Sequence, residues 1–320
     1  ADASDGFAGS QSCKSCHEKF YSLWSTSRHE LAMQPYSDAT VGAQLAPQGK
    51  GIESGGRVYR AYCGPGQGFV RETGPDGEHD YAIEQVLGGK NVYYFLTTLE
   101  RGRLQTLPLA FDVRNRQWFA VADSTARRSP HFRAGGREGL NWRDRAYTFN
   151  TSCHACHVSQ LATNYDAATD SYSTTWREPG INCETCHGPS QAHNDVCLAA
   201  QPGKPPTDLK IIRIKKDLDR QQRDDSCASC HAKMSPITDS FRPGERFFDH
   251  FDLILLENED YYPDGRDLGE NFTFTSWLSA PCVRANLNVS FVTPPAGGSV
   301  RPGIRIRPAC LSIRTRRPGW

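Results

Sequence analysis

Apolar residues are scarce in this chain. They make up 38% of its 320 residues, and the mean hydropathy is −0.60, a thin supply for a conventional core of that size. No run approaches the roughly 18 apolar residues of a membrane helix; the longest cluster, around Leu253–Leu256, is far too short. Charge imbalance is missing too, with 37 Lys and Arg against 36 Asp and Glu and a formal net charge of +1. Nothing in that balance favours a nucleic-acid partner. The start shows no leader-like apolar stretch, and Ala1-Asp2-Ala3 reads as a mature end left by cleavage at a small-residue site. Methionine occurs only twice, as Met33 and Met234. Lys, Asp and Glu vanish altogether from 281–320, where Arg, Pro and Gly are frequent. That tail implies no compact fold; a disulfide-closed extended segment and an out-of-frame reading of the gene both accommodate it.

Cysteine, by contrast, is plentiful. Eight of the 12 cysteines fall in four copies of C-x-x-C-H: Cys13-Lys-Ser-Cys16-His17, Cys153-His-Ala-Cys156-His157, Cys183-Glu-Thr-Cys186-His187 and Cys227-Ala-Ser-Cys230-His231. One copy alone reads equally as a zinc half-site or a redox dithiol. Four copies, each ending in His, read as attachment sites for c-type haem. The two sulfurs form thioethers with the porphyrin, and the adjacent imidazole takes the iron as proximal ligand. The spacing fits one helical turn, with both cysteines on one face. Cys63, Cys197, Cys282 and Cys310 remain. An even remainder in an exported chain implies disulfides, Cys282 with Cys310 the first choice, although spacing leaves the connectivity open.

Four covalent haems resolve the apolar deficit, since each is a large disc for side chains to pack against. The chain without haem is expected to be largely unfolded. Haem propionates add negative charge that the formal count omits, and arginines suit such planar carboxylates. Covalent attachment of this kind takes place outside the bacterial cytoplasm, so a periplasmic or extracellular location is expected.

Of the ten histidines, His17, His157, His187 and His231 are proximal, and six are spare: His29, His79, His131, His154, His193 and His250. With two methionines available, this arithmetic favours bis-histidine ligation on most or all irons. Such ligation lowers potential relative to Met/His and leaves no open position. His193 follows His187 by six residues after the Gly188-Pro189 turn, a placement that aims its ring at a neighbouring haem. His29 lies among aromatic neighbours, His250 in Phe247-Phe248-Asp249-His250-Phe251, and His131 in Pro130-His131-Phe132. His154 occupies a variable position within a motif, and His79 sits in a polar turn that reads as solvated. A second metal candidate is Asp260, Asp264, Asp267 and Glu270 in a Gly-containing loop, a carboxylate cluster of the kind that binds Ca²⁺ but without EF-hand spacing.

The organisation along the chain reads as α+β and loop-rich. Residues 1–56 carry the first motif and a helical pattern in Phe20, Leu23, Trp24, Leu31 and Met33, spaced like one face of a helix or a broken pair of helices. Residues 57–122 are a β-rich insertion without a haem motif, between haem 1 and haem 2. Its runs are Arg57–Cys63, Gly68–Glu72, His79–Leu87, Val92–Glu100, Leu104–Phe111 and Gln117–Val121, separated by Gly- and Pro-rich turns and read as one antiparallel meander. Residues 123–280 carry haems 2 to 4 on short helices, and 281–320 form the Arg/Pro-rich tail.

The run Asn150-Thr151-Ser152-Cys153 through Cys156-His157-Val158-Ser159-Gln160-Leu161 and Thr163-Asn164-Tyr165-Asp166, on to Glu178-Pro179-Gly180-Ile181-Asn182-Cys183-Glu184-Thr185-Cys186-His187-Gly188-Pro189, resembles the bacterial multihaem cytochromes c. These are related to the tetrahaem carrier of ammonia oxidation and to octahaem hydroxylamine-oxidising enzymes. Trp24-x-x-Ser27-x-His29 and Leu87-Gly88-Gly89-Lys90-Asn91-Val92-Tyr93-Tyr94 resemble that group as well, so the likeness covers roughly residues 10–280. It implies that His193 and His29 are distal ligands. Relatives commonly carry further C-x-x-C-H motifs after a segment like Tyr261-Tyr262-Pro263-Asp264-Gly265-Arg266; this chain has none there.

The resulting expectation is a tetrahaem electron carrier, not an enzyme, exchanging electrons with redox partner proteins or membrane-associated cytochromes. Haems 2 to 4 would form a relay that haem 1 extends, and a homopolymer in the form of an extracellular conducting filament is one version of it. The alternative is a multihaem oxidoreductase acting on small nitrogen compounds at a five-coordinate haem. A purely structural or adhesion module is the bland third reading.

Overall fold

The computed structural model describes residues 6–284 apart from 38, 40, 65, 123–140, 239, 259–260, 263–264, 266 and 268–271. Antiparallel sheets and several short helices give a mixed α/β chain. It divides into two compact units, one formed by Ser25–Asn182 and the other by Ala1–Trp24 with Cys183–Trp320. The helices that matter below are α1 (Ser10–Trp24), α2 (Phe149–Ser152), α3 (His154–His157), α4 (Cys183–His187), α5 (Gln191–Leu198) and α6 (Arg220–His231).

The unit Ser25–Asn182 is built on β1 (Met33–Pro35), β2 (Ile52–Ser54), β3 (Arg57–Gly64), β4 (Gln67–Gly74), β5 (Gly77–Ala82), β6 (Gln85–Gly88), β7 (Val92–Thr98), β8 (Leu104–Asp112) and β9 (Gln117–Ala120). These make two antiparallel sheets, ordered β2-β3-β4-β5 and β1-β6-β7-β8-β9, where the sequence suggests a single meander. The run 79–87 is interrupted at Ile83–Glu84 because its halves meet different surroundings. β5 is exposed almost throughout, whereas Ile83, Val86 and Leu87 are buried, so the chain leaves one sheet and enters the other between them. Met33, read above as part of a helical face, instead pairs with Leu87 across β1 and β6.

Alternation along β7 gives the five-stranded sheet two apolar faces. Tyr93 and Phe95 join Val70, Val86, Leu107, Leu109, Phe111 and Trp142 in one core. Leu96 joins Met33, Leu87, Leu104, Phe149 and Val158 in another, against which Cys153 of the second motif packs. The sheet is thus the floor on which that motif rests. Pro108 sits within β8 and has no N–H to donate; the β7–β8 register shifts opposite it, between Tyr94 and Leu96.

A buried ion cluster fastens this unit. The Glu72 side chain is fully buried on β4 and accepts from Arg57 Nη1 at 3.0 Å, Arg143 Nη2 at 2.8 Å and Trp142 Nε1 at 3.1 Å. Burial by itself pushes a carboxyl up, but the bonds from Arg143 and Trp142 outweigh it and hold Glu72 below the ordinary carboxylate range.

In the unit formed by Ala1–Trp24 and Cys183–Trp320, α6 starts with a reciprocal cap. Asp219 accepts from Gln222 N at 2.8 Å, and Gln222 Oε1 accepts from Asp219 N at 2.9 Å. The small core here is Ala228, Ala232, Phe247, Leu253, Phe274, Trp277 and Ala280. On α1 the backbone departs from helical geometry at His17, with φ −121° and ψ 36°. Phe20 and Leu23, beyond that kink, are exposed. Among the described residues no helix is long and apolar enough to cross a membrane.

Candidate metal centres

Each C-x-x-C-H lies on a short helix or at its end: Cys13–His17 within α1, Cys153–His157 across α2 and α3, Cys183–His187 as α4, and Cys227–His231 closing α6. The cysteine sulfurs of these motifs stand where thioether sulfurs would be.

The second motif belongs to the sheet-bearing unit. His157 Nδ1 lies 2.6 Å from Ala32 O. A carbonyl oxygen only accepts, so Nδ1 carries the proton and Nε2 is the lone-pair nitrogen, the tautomer a metal ligand needs. Gly180 N donates to His157 O at 3.0 Å and Ile181 N to His29 O at 2.8 Å. One dipeptide therefore holds the backbones of both histidines. The approach is so close that a Cβ on Gly180 would stand 1.9 Å from Glu30 O, and its φ is +75°. His154 Nδ1 is 3.3 Å from Phe149 O, and burial holds this imidazole below its ordinary range.

The other three motifs share the second unit. Cys13 is in hydrogen-bonding contact with Cys183, which, followed by burial, raises its thiol well above the usual value. Burial, then the proximity of Cys230 and Cys183, pushes Cys186 up to about 11. Burial, then Cys186, pushes Cys227 up to about 12. Motifs one, three and four are thus neighbours in space although 170 residues of sequence separate Cys13 from Cys183.

The histidines of this unit are set for ligation. His187 Nδ1 is 2.8 Å from Ile212 O, and His193 Nδ1 is 2.8 Å from Leu209 O; both rings again have the proton on Nδ1. The His17 and His193 rings lie with centroids 6.2 Å apart and planes 18° from parallel. An iron held by a nitrogen roughly 2 Å away on either side calls for a centroid separation of roughly 6 Å. The donor set and this spacing fit haem with two axial imidazoles. Cys197, one turn along α5, places Sγ 3.6 Å from His193 Nδ1.

Other expected residues fall differently. His250 uses both ring nitrogens, with Nδ1 2.7 Å from Thr238 Oγ1 and Nε2 3.1 Å from Glu245 Oε2. His79 is half-exposed on β5, 3.9 Å from Asp76. His131, Cys310, Asp260, Asp264 and Glu270 lie outside the described residues, as does the side chain of Cys282; Asp267 makes an isolated bridge with Tyr261. Among the described residues no group of three His, Cys, Asp or Glu is arranged to hold a bare metal ion. Motif counting overlooks Glu184, the variable residue of the third motif, which is 1% exposed and heavily hydrogen-bonded. Its only sequence signal is an acidic residue at one of the two unspecified positions of C-x-x-C-H.

Paired thiols with tethered imidazoles define a class of protein, the c-type haem proteins. The family model for cytochrome c554 and c-prime matches residues 12–52 and 116–188, which include the first three motifs and His29. The unmatched stretch between these blocks corresponds to most of the two sheets. A solved structure described as the outer cell wall cytochrome OcwA shares the fold, with a TM-score of 0.54 and 15% identity over 86% of this chain and 52% of that one. The chain spans about half the length of that protein. No curated protein matches it. The family match thus takes in three of the four C-x-x-C-H motifs, and the structural likeness is one of fold.

Proposed function

We propose that this chain is an extracytoplasmic electron carrier with four covalent haems, closed on most irons by a second imidazole. Bound at these motifs, haem supplies a one-electron ferric/ferrous couple. The residues do the rest. Cys13, Cys16, Cys153, Cys156, Cys183, Cys186, Cys227 and Cys230 attach it, and His17, His157, His187 and His231 orient it from the proximal side. His193 serves the iron held by His17, and His29, His131 and His250 are the further distal candidates. For His250 to take that role, Glu245 has to give up its hold on Nε2.

The single observation that carries the reading is the near-parallel pair of His17 and His193 rings, 6.2 Å between centroids; imidazoles on both sides of an iron would leave it no open position for a substrate. The contacts between motifs one and three, and three and four, favour a relay in that order inside one unit. Electron paramagnetic resonance of the oxidised protein tests the reading. Low-spin ferric signals from most of the haems are expected; a predominantly high-spin signal at full haem loading favours the oxidoreductase reading. Polymerisation into a filament extends the proposal, and negative-stain microscopy decides it: rows of subunits support it, and particles of single-chain size alone remove it.

A further inference from the structure

We propose that Glu184 is the residue that sets the gap between the two imidazoles of haem 1, although it belongs to the attachment motif of haem 3. The inference rests on the haem reading above and adds a positioning residue to it.

Glu184 is almost completely buried. A carboxylate in that position only accepts hydrogen bonds and is costly unless satisfied. It is satisfied four times over. Oε1 accepts from Ala8 N at 2.8 Å, Ser190 N at 2.9 Å and Ser190 Oγ at 2.6 Å, and Oε2 accepts from Gly9 N at 2.9 Å. The donors belong to two segments far apart in sequence. Ala8 and Gly9 lead directly into α1, which carries His17; Ser190 leads directly into α5, which carries His193.

Neither helix has an acidic residue in its first turn, and Ser190 makes no side-chain cap bond to α5. One carboxylate from α4 instead accepts from the backbone N–H groups that run directly into both helices. His17 and His193 are therefore referred to a common origin, and the distance between their rings follows from where α1 and α5 leave it. The same contact explains why α4 lies beside the first motif, since Cys183 N also donates to Ser10 Oγ at 3.2 Å. Gln191 N to Gly6 O at 2.8 Å and Asn194 Nδ2 to Ser12 Oγ at 3.1 Å link the segments independently. The fold therefore has other ties when Glu184 changes.

Glu184→Gln keeps the shape but turns one acceptor oxygen into an NH2 group facing donors. The expected result, in the full chain matured with haem, is an unchanged haem count by intact mass together with a newly CO-reactive ferrous haem. One haem per chain should bind CO beyond any bound by the wild type, with a difference spectrum matching that of His193→Ala. Ser190→Ala removes one donor and leaves α4 intact; it should show a smaller CO-binding fraction at the same haem, and it decides the matter if Glu184→Gln does not accumulate. CO binding equal to wild type in both variants overturns the inference alone. Loss of a whole haem from Glu184→Gln also overturns it, because Glu184 would then serve attachment, not the gap. A wild-type chain without covalent haem overturns the inference and the underlying reading together.

Discussion

Glu72 shows what a single residue contributes when its charge is buried among partners. Arg143→Met would leave the Glu72 carboxylate in the core with Arg57 as its remaining cation. Breaking a buried pair from one side costs about 3 kcal/mol or more, so the midpoint of urea unfolding, followed by the β-sheet circular dichroism signal, should fall accordingly. The pH dependence has a definite sign. Glu72 titrates lower in the folded chain than in the unfolded one, where the value is about 4.3. Its stabilisation is fully present above that value and is lost as pH falls through the lowered folded value. Glu72→Gln should flatten the acid limb of stability against pH, and an unchanged limb would contradict this account. Gly180 is a second sensitive point. An added methyl meets the Glu30 carbonyl at 1.9 Å in a left-handed backbone, so Gly180→Ala should cost about 2 kcal/mol, read as a lowered thermal midpoint. The twelve motif-defined ligands and sulfurs apart, such residues were not legible beforehand. The C-x-x-C-H set is legible because its chemistry needs fixed local spacing, twelve residues in all. Glu72 depends on Arg143 and Glu184 on Ala8, partners more than 70 and more than 170 residues away, and a local pattern carries no trace of them.

At the scale of elements, the turn-punctuated β runs were legible almost to the residue, because alternation and Gly-containing turns are local signals. Arg57–Gly64 and Leu104–Asp112 match the expected runs closely. The sheet exchange at Ile83–Glu84 was not, since it depends on which face each half buries. The helical pattern over Phe20 to Met33 holds through Trp24 and again over Glu30–Ala32 but fails at Met33, which is apolar because β1 packs into the sheet unit. The cap of α6 joins Asp219 and Gln222 at the spacing of a capping box, and it yields a test. Asp219→Ala should lower stability by about 1 kcal/mol. The shift should appear in the urea midpoint with the m-value unchanged and without loss of haem from Cys227 and Cys230.

For the whole molecule, the two units differ in how much core the polypeptide itself supplies. Among the described residues, the sheet unit has thirteen buried apolar residues in one cluster and six in another, whereas seven form the cluster of the unit with three C-x-x-C-H motifs. The expectation that a haem-free chain is largely unfolded therefore applies to the second unit more than to the first. Protein made without haem attachment should keep β-sheet circular dichroism and lose most of its helical signal; complete loss of both would contradict that division. The central claim is covalent haem at all four motifs, and intact mass under denaturing conditions tests it most directly. The account predicts the mass of the bare polypeptide plus four haem groups on protein matured with haem-attachment machinery. A mass equal to the polypeptide alone, or one that falls short of four haems, would contradict it.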